Sequence, residues 1–346
     1  MGIKDYSKLL DSISQDNEKE PTFKKHDRVL LVDGLNLFLR NFAMINFINE
    51  SGTHTGGLGG FLRSLGSLIE LIKPTEVYIM FDGIGSSVNR KNLIPEYKSG
   101  RNVTRITNFD VYKNLEEENQ SKVDQIVRLI HYLKCLPVKV ISLDRVEADD
   151  VIAFLSKKLA AEQNSKVFIV SADHDFTQLV TERITHYRPV KKEFYTPTKV
   201  FNEYGIQPEN FILYKTLMGD KSDKITGIKG LGKKGLLKKF PELAKTKLDL
   251  QDIIDISAEK YKEHIIYSRV VFEKDNLAKN YKVMDLHNPL LGEDEKLILE
   301  AFIEGTVGEL NIPAFIRMYN EDGLNHTIKN PEYWLRNKFK TLNIFK

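Results

Sequence analysis

Residues 138–175 read VKVISLDRVEADDVIAFLSKKLAAEQNSKVFIVSADHD. Val138 to Leu143 is a short apolar run, Asp149 to Ala161 carries its apolar residues at helical spacing, and Val167 to Val170 is apolar again. Strand, helix and strand in close succession predict a parallel pairing with the helix laid across it. The same grammar extends outward. Towards the N-terminus, Arg28 to Val32 and Val77 to Phe81 read as buried strands around an amphipathic helix from Leu58 to Ile72, and Val123 to Leu133 as a further helix. Towards the C-terminus, Ile184 to Pro189 and Glu193 to Tyr195 read as a strand pair, and the pattern is mainly helical from Pro208. The expected fold is α/β, a mostly parallel central sheet with helices on both faces, followed by a helical C-terminal region.

Three regions are expected: a polar extension over 1–27 with one short helix near Tyr6 to Ile13, a core over 28–205, and a helical region over 206–346. Ser86 to Ser121 is basic at first and acidic later, and reads as a mobile helical insertion. The run Glu116, Glu117, Glu118 reads as a solvated face.

Acids stand just past the C-terminal end of every buried strand: Asp33 after LLV, Asp82 after YIMF, Glu147, Asp149 and Asp150 after VISLDRV, Asp173 and Asp175 after FIVSA. In a parallel sheet those ends share one edge, the edge where open α/β sheets bind ligands. Taken singly, Asp33 or Asp149 reads better as a helix cap. As a set the carboxylates repel one another unless cations neutralise them. Cys135 is the only cysteine, which excludes disulfides and multi-cysteine zinc sites. His174 lacks a second histidine at ligand spacing, so zinc is disfavoured. Oxygen donors select hard ions such as Mg²⁺, with Mn²⁺ as substitute, and the surplus of carboxylates points to two ions and phosphoryl displacement. Asp220 and Asp223 add two acids that a single helical turn would present together, or that form an ordinary turn.

The net charge is only +3, but its distribution is uneven. Lys221 to Phe240 contains seven lysines and one acid, Asp223. Within it, Gly227, Gly230 and Gly232 predict a tight turn that lets backbone approach phosphate, and Lys233 and Lys234 open a basic helix. An amphipathic surface helix is the plainer alternative. Gly56, Gly57, Gly59 and Gly60 read either as a flexible loop or as a close contact with a DNA backbone. Between Asp82 and the acidic run stand Arg90, Lys91, Tyr97, Lys98 and Arg101, cations able to clamp a phosphate beside an aromatic able to stack on a base. No apolar run is long enough to cross a bilayer and the N-terminus lacks a secretory pattern, so a cytoplasmic protein is expected.

LLVDG, MFDG, VEADD, SADHDFTQL and GDKSDKITGIKGLG, in this order over roughly residues 28–240, resemble the motifs of the 5′-nuclease family of flap endonucleases and polymerase-associated 5′ nucleases. YSRVVFEKDNLAKNYKVMDL resembles the family's later region, and the likeness is nearest to the T-even phage ribonuclease H type. The resemblance implies a PIN-like core and a metal-dependent 5′ to 3′ exonuclease with flap endonuclease activity and RNA-primer removal. It assigns Asp33, Asp82, Glu147, Asp149 and Asp150 to a first metal group and Asp173, Asp175, Asp220 and Asp223 to a second. Asp33, Asp82, Asp150, Arg90 and Lys98 are the implied catalytic set, with Arg90 and Lys98 at the base of a helical arch over 86–121. The resemblance also implies a helix-hairpin-helix near 217–240 that would grip duplex DNA through Gly227, Gly230, Gly232, Lys233 and Lys234, aided by Lys91, Tyr97 and Arg101, and that holds K⁺ in many relatives. The implied partners are flapped, nicked or forked DNA and RNA–DNA hybrid, met by a monomer in a bacterial or phage-infected cell. The tail YWLRNKFKTLNIFK reads as a packed helix, or else as a docking segment for a sliding clamp or single-strand-binding protein. Two other functions compete: a PIN-type single-strand ribonuclease, and a structure-specific DNA-binding protein that has lost its metals.

Overall fold

The computed structural model describes residues 24–99 and 106–342. The short helix expected near Tyr6 to Ile13 and the position of Arg101 lie outside the described residues.

Strand β1 (Arg28–Asp33) pairs in parallel with β2 (Glu76–Asp82) on one side and β4 (Lys166–Val170) on the other. β3 (Lys139–Leu143) extends the sheet beyond β2, β5 (Ile184–Arg188) beyond β4, and β6 (Glu193–Tyr195) closes it antiparallel, giving the order β3-β2-β1-β4-β5-β6. The winding direction reverses between β1 and β4, so the crevice of a doubly wound sheet opens above their C-terminal ends.

The side-chain period of two divides β1 between two cores. Leu30 and Val32 face α1 (Gly34–Met44), α2 (Gly56–Ile72) and α4 (Leu115–Leu133), while Val29 and Leu31 face α5 (Ala148–Glu162). The expected α/β architecture is therefore present, with differences in detail. The sequence pattern gave no sign of α1, whose start is capped by Asp33. Helix α4 begins at Leu115 rather than Val123, because Asn114 caps it by accepting the Glu117 N–H. Glu118 is buried rather than solvated: its carboxylate accepts the backbone N–H groups of Thr107 and Asn108 and pairs with Lys122. Between residues 86 and 114 the described part holds one short helix, α3 (Val88–Leu93).

The glycines at 56–60 form neither a loop nor an open face. They begin α2 and are buried, and a Cβ on Gly56 would stand 1.7 Å from the Ile45 carbonyl oxygen. Their absent side chains let α2 pack closely against α1.

Helices α6 (Pro197–Tyr204), α7 (Phe211–Met218), α8 (Lys233–Lys239), α9 (Leu250–Glu259), α10 (Ile265–Phe272) and α11 (Lys274–Met284) surround a third core. The chain then returns to the sheet. α12 (Glu293–Glu304) packs on the α5 side, where Lys139 donates to the Ile303 carbonyl at 2.6 Å, and α13 (Ile312–Glu321) and α14 (Pro331–Lys338) pack on the α2 side. Within the described part of 206–342, the helices thus divide between the third core and the two faces of the sheet. In the tail, Trp334, Leu335 and Phe339 are core residues.

Candidate active site at the acidic sheet edge

The carboxylates at the strand ends are held by the backbone that follows each strand. Asp33 ends β1, accepts the Asn36 N–H at 3.1 Å and the Ser171 hydroxyl at 2.9 Å, and so joins β1 to β4 across the crevice. Asp82 ends β2 and accepts the Ala148 N–H at 2.8 Å, which fixes the start of α5. Glu147 stands at the N-cap of α5, with Asp149 and Asp150 in its first turn, where the helix dipole favours negative charge. Past β4, Asp173 donates its N–H to the Ser171 hydroxyl at 3.0 Å and accepts the Asp175 N–H at 2.9 Å.

These groups feel one another. Burial pushes the Asp33 carboxyl up to about 7, and the charges of Asp82 and Asp173 add to the effect. Burial, then Asp173, also raises Asp149 well above the usual carboxylate range. Asp175 is pushed up to about 7 by burial and by Asp173.

Three cations stand inside the cluster. Arg90 holds Asp150 through two hydrogen bonds of 2.5 and 2.9 Å, approaches Glu147 at 3.1 Å and donates to the Val283 carbonyl at 2.9 Å. Lys98, with a left-handed φ of 55°, donates to Glu147 at 2.9 Å. Lys215 lies 2.6 Å from Asp175 and also contacts Asp220. Burial would raise Asp220, but Lys215 and Ser222 outweigh it and hold the carboxyl at about 2.

Several residues are placed differently from expectation. Arg90 is 3% exposed with its donors engaged by Asp150, Glu147 and Val283, so it secures carboxylates rather than reaching a phosphate. Tyr97 is 4% exposed, packs with Ile212, Ile225 and Val283, and donates to Glu147 at 3.3 Å, which leaves no ring face for a base. Asp220 and Asp223 lie in a turn rather than on one turn of helix: Asp220 accepts the Ser222 N–H at 2.7 Å, between the two-residue strands Gly219–Asp220 and Ile225–Thr226. Asp223 is buried, and its carbonyl accepts the Lys98 N–H at 3.4 Å. Among the described residues no three carboxylate, histidine or cysteine side chains converge in ligand geometry on one point. The donors fit a hard cation nonetheless. Asp33, Asp82, Asp149 and Asp173 are oxygen donors outside every ion pair among the described residues, and buried Glu147 Oε1 has no hydrogen-bond partner. The raised proton affinities of Asp33 and Asp149 show the charge a cation would relieve.

The basic segment begins in the small hairpin that follows α7 and ends in α8. Gly227 is required by packing, since a Cβ there would stand 2.3 Å from the Met218 carbonyl carbon, and Gly230 by its φ of 81°, whereas Gly232 adjoins open space. Lys91, Lys233 and Lys234 are exposed. Lys233 contacts the Glu203 carbonyl and lies 5.2 Å over the Tyr204 ring.

Two features escaped the sequence reading. One is Lys215, which carries no motif. The other is a groove of about 380 Å³ between α1, α2 and the end of β5, lined by Arg40, Arg63 and Lys192 with the Ser64 and Ser67 hydroxyls and no acid. None of its cations forms an ion pair among the described residues; Arg40 donates to the Pro189 carbonyl and Arg63 lies over Phe47. A larger cavity, about 970 Å³, lies beside residues 49–55 and the start of α4 and contains none of the strand-end carboxylates. Among the described residues no helix is long and apolar enough to cross a membrane.

Comparison with known proteins bears on this edge. The family profile for the 5′-3′ exonuclease N-terminal resolvase-like domain matches residues 28–205. DNA polymerase I of Bacillus subtilis (strain 168) is 33% identical over 243 residues, which cover 69% of this chain and 26% of the polymerase. The chain therefore spans about a quarter of the length of that relative. Among solved structures, the T5 5′-exonuclease with bound zinc ions matches at a TM-score of 0.61 and 20% identity, over 85% of this chain and 98% of the other. A bacteriophage T5 flap endonuclease in a pseudo-enzyme-product complex with DNA and metal ions matches at 0.60 and 18%, over 88% and 100%. At such identities the likeness is one of fold.

Proposed function

The chain belongs to the 5′-3′ exonuclease family, and from that premise we propose that it is a structure-specific 5′ nuclease that cuts DNA at flaps, nicks and forks, and RNA–DNA hybrid in the manner of a T-even phage ribonuclease H. The observation that carries this reading is the run of strand-end carboxylates at the winding switch, electrostatically coupled from Asp33 through Asp173 to Asp149.

Asp33, Asp82, Asp149 and Asp173 would hold a first divalent cation, and Asp175, Asp220 and Asp223 a second; this moves Asp173 out of the expected second group, because its charge acts on Asp33 and Asp149, and sets aside Glu147 and Asp150, which are paired with Arg90 and Lys98. Mg²⁺ is the ion that suits carboxylate oxygen and Mn²⁺ its substitute. Bound there, such ions supply charge neutralisation for the phosphate and a more acidic water. The chain's own residues prepare the site. Ser171 orients Asp33 by donating to Oδ2, the Ala148 N–H orients Asp82, and Arg90 holds Glu147 and Asp150 in place. Lys98, hydrogen-bonded to Glu147 and more exposed than Arg90 or Lys215, is the edge cation assigned to a scissile phosphate, with Lys91 and Arg101 as the further contacts expected from the sequence.

Duplex would lie on the α7-hairpin-α8 unit, read as a helix-hairpin-helix with Gly230 at its tight turn, Lys233 and Lys234 towards the backbone and K⁺ held by turn carbonyls. The acid-free groove of Arg40, Arg63 and Lys192 offers phosphates a second seat.

A 5′-end-labelled flap, a single-stranded RNA and a nicked duplex, each incubated with Mg²⁺, separate the competing readings. Cutting at the flap junction and at nicks supports the proposal. Cleavage of single-stranded RNA without junction preference favours a PIN-type ribonuclease, and binding without cleavage in either Mg²⁺ or Mn²⁺ favours a non-catalytic DNA-binding protein.

A further inference from the structure

The second carboxylate group already contains a cation of its own. Lys215 projects from α7 and is 9% exposed; its Nζ stands 2.6 Å from Asp175 Oδ1 and contacts Asp220 Oδ2. Asp220 turns its other oxygen to the Ser222 N–H and hydroxyl, so the oxygen facing the site is the one the ammonium covers. The first group differs, since Asp33, Asp82, Asp149 and Asp173 make no ion pair among the described residues.

Burial would favour the neutral amine, but Asp175 and Asp220 outweigh it and keep Lys215 charged. A lysine is suited to such a place: a compact charge on a flexible four-carbon stem can leave one pair of oxygens without any change of backbone. An ammonium cannot replace a divalent ion fully, because it brings one charge to carboxylates that two charges would serve better.

We propose that Lys215 is an exchangeable internal counter-cation, bridging Asp175 and Asp220 until a divalent ion enters the second group by displacing it. The inference rests on the metal-dependent reading given above. It implies that the two groups load in order, the second more weakly because each ion entering there must break two existing ion pairs.

Mn²⁺ binding to the full chain, followed by electron paramagnetic resonance for the wild type and Lys215→Met, tests this. The weaker class of sites should tighten about tenfold in the variant while the tighter class is unchanged. Equal affinity of the weaker class in both proteins overturns the role of Lys215 and leaves the metal-dependent reading standing. Absence of Mn²⁺ binding to either overturns both. A measurement on the wild type covers the case in which the variant does not fold: the ¹H–¹⁵N signal of the Lys215 ammonium, assigned with Lys215→Arg, should shift as Mg²⁺ fills the weaker class. A signal unmoved at saturation contradicts displacement.

Discussion

Arg90 illustrates what a residue's type reveals and what it hides. A cation eight residues after the strand-end Asp82 suggests a phosphate clamp, yet the fold closes Arg90 beneath the surface with Asp150 and Glu147. Charge can be read from sequence, whereas the direction in which a long side chain is spent depends on partners such as Val283, 193 positions away. Arg90→Met should therefore destabilise the protein by about 3–5 kcal/mol in urea unfolding, because two carboxylates lose a buried partner. An exposed clamp would leave stability within about 0.5 kcal/mol. The carboxylates make a second prediction, on pH. Asp33 and Asp175 carry folded-state values near 7, raised by burial, so each favours the metal-free fold fully below its unfolded value near 4, and that contribution is lost as pH rises through 7. The loss is at most about 1.4 kcal/mol per pH unit for each group. Asp220, held at about 2, acts with the opposite sign and only below its unfolded value. A divalent ion needs the ionised forms, so the rise in Tm on adding Mg²⁺ should grow steadily from pH 5 to pH 7. A rise independent of pH would separate the ion from these side chains.

Among the elements, those with a strong period were legible, and those defined by tertiary contact were not. β1, β2, β4 and α5 stand within a residue or two of their expected bounds because strands buried on both faces leave uninterrupted apolar runs. Helix α1 and the first two turns of α4 were hidden. The former begins on Asp33, read as a site residue, and the latter opens with the acids Glu116 to Glu118, of which only the fold shows that Glu118 is enclosed. The glycines of α2 carried an ambiguous signal, since close approach to a helix and close approach to a ligand need the same missing Cβ. With the Ile45 oxygen 1.7 Å from the position of a Cβ on Gly56, Gly56→Ala should cost about 1–3 kcal/mol or more through overpacking, measured by thermal unfolding. A glycine serving only DNA contact would cost binding and leave Tm unchanged. In the groove beside these helices, replacing Arg40, Arg63 and Lys192 by Gln should lower the slope of log affinity for a flap against log salt by roughly 0.9 per lost phosphate contact. An unaltered slope would remove that groove from the DNA path.

For the whole molecule, the gathering of the strand-end acids along one sheet edge was legible from the ordered motifs, while the return of the chain onto the sheet was not. Helices α12 to α14 follow a long helical stretch, and nothing local marks which face they will cover; Trp334 reaches its place only because Gly66 leaves room for the indole. Trp334→Ala should therefore cost about 3–5 kcal/mol, whereas a tail used only for docking would be substituted without loss of stability. The arrangement of the edge has the same long-range origin: it needs β1 and β4 side by side, Arg90 delivered by α3 and Lys215 by α7. So many carboxylates gathered in one crevice are explained by cations that join them. Crystals soaked in Mn²⁺ and measured at its absorption edge test this most directly. Anomalous density bonded to Asp33, Asp82, Asp149 and Asp173 is the result expected, and manganese bound elsewhere with that crevice empty would contradict the account.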